Sequence, residues 1–162
     1  MAKIRNPREE EFEAIYNFVS CCHPLESYGV HFYRIITRYF RDTCFVAEDE
    51  SGVAGFAFGL FSQINKEDFF LWQIGVASEK QGEGIGTVLI KEMEQDLRNK
   101  GAKRIELTVD LKNKPSQRLF EKNGYNIVSY KEKDTVEAEG KTAAKDFYGE
   151  GRHFILYAKV LP

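Results

Sequence analysis

The sequence predicts an α+β fold, with a mixed sheet rather than a doubly wound parallel one. Three observations lead there. Two helical patterns precede the main run of strands with no strand between them. A three-strand meander, "CFVAEDESGVAGFAFGLF" followed by "DFFLWQIGV", occupies the middle of the chain. After it come one helix, one strand and a second helix before two closing strands.

Each element has a local reason. "KIRN" is a short first strand. From Arg8 to Cys21 the apolar residues Phe12, Ile15 and Val19 recur at helical spacing, behind Glu9, Glu10 and Glu11, which suit a helix N-terminus; Pro24 ends the pattern. Val30 to Phe40 repeats it, with Tyr33, Ile36 and Phe40 on one stripe. The meander turns first near Asp49 to Gly52, and its third strand is so continuously apolar that both faces are expected to be covered. A helix is expected over Val88 to Lys100, with Leu89, Ile90, Met93 and Leu97 inward and Gly101 at its end. "RIELTVD" is a strand. Lys114 to Asn123 is a short helix with Pro115 in its first turn and Gly124 beyond it. "YNIVSY" is a strand, Lys131 to Glu150 reads as a polar loop, and "HFILYAKV" is the last strand.

At 162 residues the chain suits one domain over 1–162 with its own core. A net charge of −2 gives no sign of a nucleic-acid or anionic-membrane partner. No apolar run approaches the roughly 20 residues of a membrane span, and "MAKIRNPREEEF" has no signal-like apolar region, so a cytoplasmic protein is expected. Cys21, Cys22 and Cys44 have no disulfide-framework spacing. "CCHP" matches no zinc spacing either, and no metal is expected.

The most informative stretch is "EKQGEGIGTVLI", between the buried strand and the helix. Free N–H groups at a helix start attract anions, and removing side chains at Gly82, Gly84 and Gly86 would let a phosphate or pyrophosphate reach them. A dinucleotide fingerprint needs G-x-G-x-x-G, but Thr87 stands where its third glycine belongs. A P-loop needs a lysine after its last glycine, and none follows Gly86. A glycine-rich turn with no ligand stays open on these residues alone.

"VASEKQGEGIGTVLI" resembles motif A of the GNAT N-acetyltransferases, Q/R-x-x-G-x-G/A, with Gln81, Gly84 and Gly86 at the signature positions. "DLKNKPSQRLFEKNGY" resembles the second half of that family, an asparagine followed by a short helix. The resemblance implies the GNAT acyl-CoA N-acyltransferase fold, with a mixed, mostly antiparallel sheet flanked by helices on both faces. "HPLESYGVHFYRII", "DTCFVAEDESGVAGFAFG" and "FFLWQIGV" are similar to the diaminobutyrate acetyltransferases of ectoine synthesis, and the likeness weakens after Tyr125.

The resemblance implies acetyl transfer from acetyl-CoA to a primary amine of a small molecule, such as a diamino acid, by direct attack. A non-catalytic acyl-CoA-binding domain and a protein N-acetyltransferase are its alternatives. A homodimer is compatible with the sequence. Pyrophosphate would lie on Gln81, Gly82, Glu83, Gly84, Ile85, Gly86 and Thr87. The strand would splay near Ile74, Gly75 and Val76 and present N–H groups to the thioester, with Gly75 suited to the distortion. Asn113 would meet the pantetheine arm beside Ser116, and Lys112, Lys114, Arg118 and Lys122 surround the 3′-phosphate end.

The acceptor set is Glu26, Tyr33, Trp72 and Gln73. Many relatives have a glutamate base where Gln73 stands, and Gln73 cannot serve as one. Glu26 matches an acid expected to hold the substrate ammonium. Phe120 stands where many relatives carry a proton-donating tyrosine, leaving water or Tyr125 for the departing thiolate. Near the C-terminus, Arg152 replaces an expected acid and would favour a substrate carboxylate.

Overall fold

The computed structural model describes residues 2–129 and 134–162. Its elements run β1 (Lys3–Arg5), α1 (Phe12–Cys21), α2 (Val30–Tyr39), β2 (Cys44–Asp49), β3 (Gly52–Phe61), β4 (Asp68–Val76), α3 (Ile85–Asn99), β5 (Arg104–Asp110), α4 (Lys114–Lys122), β6 (Asn126–Ile127), β7 (Thr135–Ala138), β8 (Lys141–Ala144) and β9 (Phe154–Val160). All the strands join one sheet, in the order β1-β2-β3-β4-β5-β9-β8-β7, with β6 beside β9. Among the described residues only the β4–β5 pair is parallel. The fold is therefore α+β with a mostly antiparallel mixed sheet, as expected.

Side-chain alternation assigns the two faces. Phe45, Ala57, Phe69, Leu71, Ile105, Leu107, Val109, Ile155 and Tyr157 point to α3 and α4, where they meet Leu89, Ile90, Met93, Leu97 and Phe120. Val46, Phe56 and Phe58 point the other way, to Ile15, Val19, Tyr33 and Ile36 of α1 and α2. The covering on this second face is incomplete: Trp72 of β4 is 43% exposed, which corrects the expectation that both faces of β4 are buried.

Other boundaries also differ from expectation. α3 begins at Ile85, three residues before Val88, so Gly86 and Thr87 lie in its first turn. Glu9–Glu11 form a separate 3-10 turn ahead of α1. The "YNIVSY" strand is only Asn126–Ile127, and Tyr130 lies outside the described residues. The expected loop from Lys131 to Glu150 contains the β7–β8 hairpin, while Lys131, Glu132 and Lys133 lie outside the described residues. The hairpin turns at Glu139 and Gly140, both at positive φ. A Glu-Gly turn between alanine-rich arms lacks the Asn-Gly or Asp-Gly signature by which such hairpins are read from sequence.

The N-terminus is fastened by charge. Arg5 bonds Glu11 at 2.7 and 2.9 Å and Glu48 at 3.0 Å, and the Arg8 N–H donates to Glu11 at 2.6 Å. The Arg5 bonds hold the Glu11 carboxyl down at about 2, against an ordinary 4.5. A carboxylate depressed in the folded state stabilises above its unfolded pKa, and that contribution is lost as pH falls through its folded pKa. Acid titration monitored by circular dichroism should therefore show part of the stability disappearing between pH 4.5 and about 2. Glu11→Gln should be less stable at pH 7 and show a flatter fall across that window.

Candidate acyl-donor and acceptor site

The glycine stretch lies between β4 and α3. Gly82 and Gly84 sit at φ +87° and +86°, a region that penalises side-chain-bearing residues, with no atom within 4 Å of where a Cβ would stand. Gly86 has a different reason: its Cβ would meet Leu119 of α4 at 3.2 Å and Val76 at 3.5 Å. Of the three glycines, two therefore serve the loop conformation and the third the α3–α4 packing.

That conformation leaves donors unused. Among the described residues, the N–H groups of Gly82, Gly84, Ile85, Gly86 and Thr87 donate to no protein group. They gather at the start of a 15-residue helix, whose dipole adds positive potential there. Gln81 and Glu83 are exposed beside them. The Gln81 side chain reaches back to the Val76 carbonyl at 3.5 Å, and the Thr87 hydroxyl meets Asn123, just past α4, at 3.4 Å. Lys80 fastens the loop to the β2–β3 turn by bonding Asp49 and Ser51.

β4 forks away from β5 close by. The parallel pairing runs from Asp68–Arg104 to Leu71–Leu107 and stops. Antiparallel pairing with β3 continues to Val76, with a register shift that leaves Trp72 as an extra residue. Beyond Leu71, one edge of β4 thus has no strand partner among the described residues, and this edge carries Ile74, Gly75 and Val76. The splay expected there is present, and the bulge that precedes it is at Trp72. A Cβ on Gly75 would sit 3.0 Å from Leu25, so this glycine makes room for the loop after α1.

The bulge turns two successive side chains toward α2. Trp72 stacks on Phe58 at 6.0 Å and donates Nε1 to Tyr28 Oη at 3.0 Å. Gln73 is buried; its Nε2 donates to the Glu26 carbonyl at 2.6 Å, and its Oε1 accepts from the Tyr33 hydroxyl at 3.3 Å. Tyr33 is fully buried, and that burial raises its phenol pKa. Tyr33 therefore positions Gln73 from within the core, a correction to its place in the acceptor lining. The Glu26 side chain is exposed and pairs with Arg152 at 3.2 Å. Sequence reasoning missed Tyr28, Thr108 and Tyr148. Tyr148 Oη lies 3.1 Å from Thr108 Oγ1, on the arm of β5 opposite Trp72. An aromatic pair, Phe147-Tyr148, inside an otherwise polar segment was the available signal.

On α4, Asn113 caps the helix by accepting from the Ser116 N–H at 3.2 Å. Arg118 and Lys122 are exposed and, like Lys112, have no ion-pair partner among the described residues. Lys114 is instead paired with Glu139 of the hairpin turn, at 2.6 Å.

Tyr125 lies away from the fork. It is 2% exposed, packs edge-on to Phe120, and has Lys159 Nζ at 5.5 Å from its ring. Burial first, and then the charge of Glu94, push its phenol far above the ordinary range. A group so reluctant to ionise, facing the core under α3, is not the proton donor expected of it. Its hydroxyl is buried beside the Glu94 carboxylate but in no well-formed hydrogen bond among the described residues. Removing an unpartnered buried polar atom costs little or stabilises. Tyr125→Phe should therefore melt at or above the wild-type temperature, with turnover within about threefold of wild type.

Cys22 and Cys44 are buried free thiols, and Cys21 is an exposed one. Among the described residues no three His, Cys, Asp or Glu side chains gather as a metal site, and no helix is long and apolar enough to cross a membrane.

The sequence model of the acetyltransferase (GNAT) family matches residues 12–125. An L-2,4-diaminobutyric acid acetyltransferase of Shouchella clausii is 37% identical over 119 residues, 74% of this chain and 66% of that protein. The Chromohalobacter salexigens protein of the same name is 31% identical over 120 residues, 74% of this chain and 62% of that protein. The matched stretch thus spans just under two thirds of each of these two relatives. The diaminobutyrate acetyltransferase EctA of Paenibacillus lautus, solved with L-2,4-diaminobutyric acid and coenzyme A, superposes with a TM-score of 0.78 at 23% identity, covering 99% of this chain and 95% of that one.

Proposed function

The chain belongs to the acetyltransferase (GNAT) family, and from that premise we propose that it transfers an acetyl group from acetyl-CoA to a primary amine of a small diamino acid such as diaminobutyrate. One observation carries the proposal: unused N–H groups at the start of α3 and the unpaired edge of β4 adjoin one another, only Ala77 to Gln81 apart in sequence. A pyrophosphate fits the first and an extended amide-bearing arm the second.

In this reading the N–H groups of Gly82 and Gly84 to Thr87 hold the pyrophosphate. Arg118 and Lys122 meet the terminal phosphate. Alternate residues of the free β4 edge present N–H groups, one of which polarises the thioester carbonyl near Ile74 to Val76. The acceptor enters from the Trp72 side. Beyond Leu71, β4 carries no side-chain base, since Gln73 is neutral and held at both ends, so the ammonium gives its proton to water at the exposed mouth. A thiol with an ordinary pKa of about 8.5 leaves without a dedicated acid, which agrees with Phe120 and with the burial of Tyr125.

Thiol release from acetyl-CoA on addition of diaminobutyrate and an amine panel tests the proposal. Acetyl-CoA binding without thiol release for any amine would instead mark a non-catalytic binding domain.

A further inference from the structure

Two loops meet over the fork, each tied to one arm. The loop between α1 and α2 is held to β4 by Gln73 on the Glu26 carbonyl and by Trp72 on Tyr28. The loop before β9 is held to β5 by Tyr148 on Thr108, the residue that directly follows the last β4–β5 pair. Both tethers therefore stand at the mouth of the fork. Tyr148 and Thr108 also wall a cavity of 230 Å³, together with Phe70 and Leu156.

Across the mouth runs the ion pair of Arg152 Nη2 with Glu26 Oε2. The guanidinium is oriented by aromatic faces, 5.8 Å from the Tyr148 ring centre and 5.7 Å from that of Phe154. The side chains of Arg152 and Glu26 are 47% and 58% exposed. An ion pair that exposed is weak, so a solute can exchange with it. Displacement by a solute with both signs of charge gives each member a new counter-ion, so such a solute is favoured over one with a single sign.

We infer that Glu26 and Arg152 form a charge latch that admits a free zwitterionic amino acid, with Glu26 taking the α-ammonium, Arg152 the carboxylate, and the side-chain amine left to enter the fork. The inference rests on the proposed acetyl transfer and adds the feature of the acceptor that is read. A diamine without a carboxylate takes Glu26 and leaves Arg152 with solvent alone. A peptide N-terminus has no carboxylate at its α-carbon, and its only ammonium there is the reacting group.

The test uses three acceptors that differ by one charge. Diaminobutyrate carries both groups, 1,3-diaminopropane lacks the carboxylate, and 4-aminobutyrate lacks the α-amine. Arg152→Gln should lower the kcat/KM ratio of diaminobutyrate over 1,3-diaminopropane about tenfold, mostly through KM, the low end for a charge-assisted contact that replaces an exposed pair. Arg152→Lys should recover part of that ratio. Glu26→Gln should lower the ratio of diaminobutyrate over 4-aminobutyrate by a similar factor. Ratios that stay within about twofold of wild type in both variants overturn the latch. A merely structural role for the pair would give that result, lowering turnover of all three acceptors together and raising the KM for acetyl-CoA. If the wild-type chain acetylates no amine at all, the acetyl-transfer reading falls and the latch falls with it. If it is active with unchanged ratios, the latch alone falls.

Discussion

Gly84→Val should weaken acetyl-CoA binding by at least about tenfold while the fold survives, as measured by calorimetry beside a thermal melt. Two effects act in the same direction. Valine at φ +86° enters a region that costs an L-residue roughly 1–2 kcal/mol, more for a β-branched one, so the loop shifts. Wherever it settles, the new side chain occupies the open space into which the α3 N–H groups point. Gly84 is exposed and outside the three buried clusters, so the melt should move far less than the affinity. Unchanged affinity would remove the loop from the site. Gly86→Val is the contrasting case: its methyl groups would collide with Leu119, so stability should fall along with binding.

Lys159→Ala should be strongly destabilising although it lies outside the site. Glu94 on α3 is 3% exposed, and both its oxygens receive Lys159 Nζ at 2.8 Å, with Arg98 farther off at 3.5 Å. Removing one partner of a buried pair typically costs about 3–5 kcal/mol, and Arg98 places the expectation near the lower end. For a domain of this size that lowers Tm by roughly 6–12 °C. The loss comes from the stranded carboxylate, so Glu94→Leu combined with Lys159→Met should recover most of it. If the double variant melts with Lys159→Ala, the cost lies in packing around Tyr125 instead.

Several features of the site are legible in the amino-acid sequence. A helix start rich in glycine after an apolar strand announces unused N–H groups, because hydrogen-bond accounting at a helix N-terminus is local. The β2–β3 turn is legible for the same reason. The β7–β8 hairpin is not, since its Glu-Gly turn and alanine-rich arms have weak local preference, and its stability comes from outside: Lys114 pairs with Glu139, and Lys141 bonds Gln117 and Glu121 of α4. Tyr33 and Tyr125 are misplaced by sequence reasoning because a sequence identifies a tyrosine without saying whether its ring faces a cleft or the core.

The sequence by itself determined the order of the helices and of the strands other than β7 and β8, the anion-seeking helix start, and the family motif that ties it to an acyl donor. These depend on contacts between residues a few positions apart. The tertiary structure alone decided that β4 parts from β5 after Leu71, that a bulge turns Trp72 and Gln73 to the same face, and that Glu26 meets Arg152, 126 positions away. Each of these is a matter of which distant segments share an edge or a mouth. Strand register and loop closure are set by the packing of the whole sheet, and a local pattern carries no record of them.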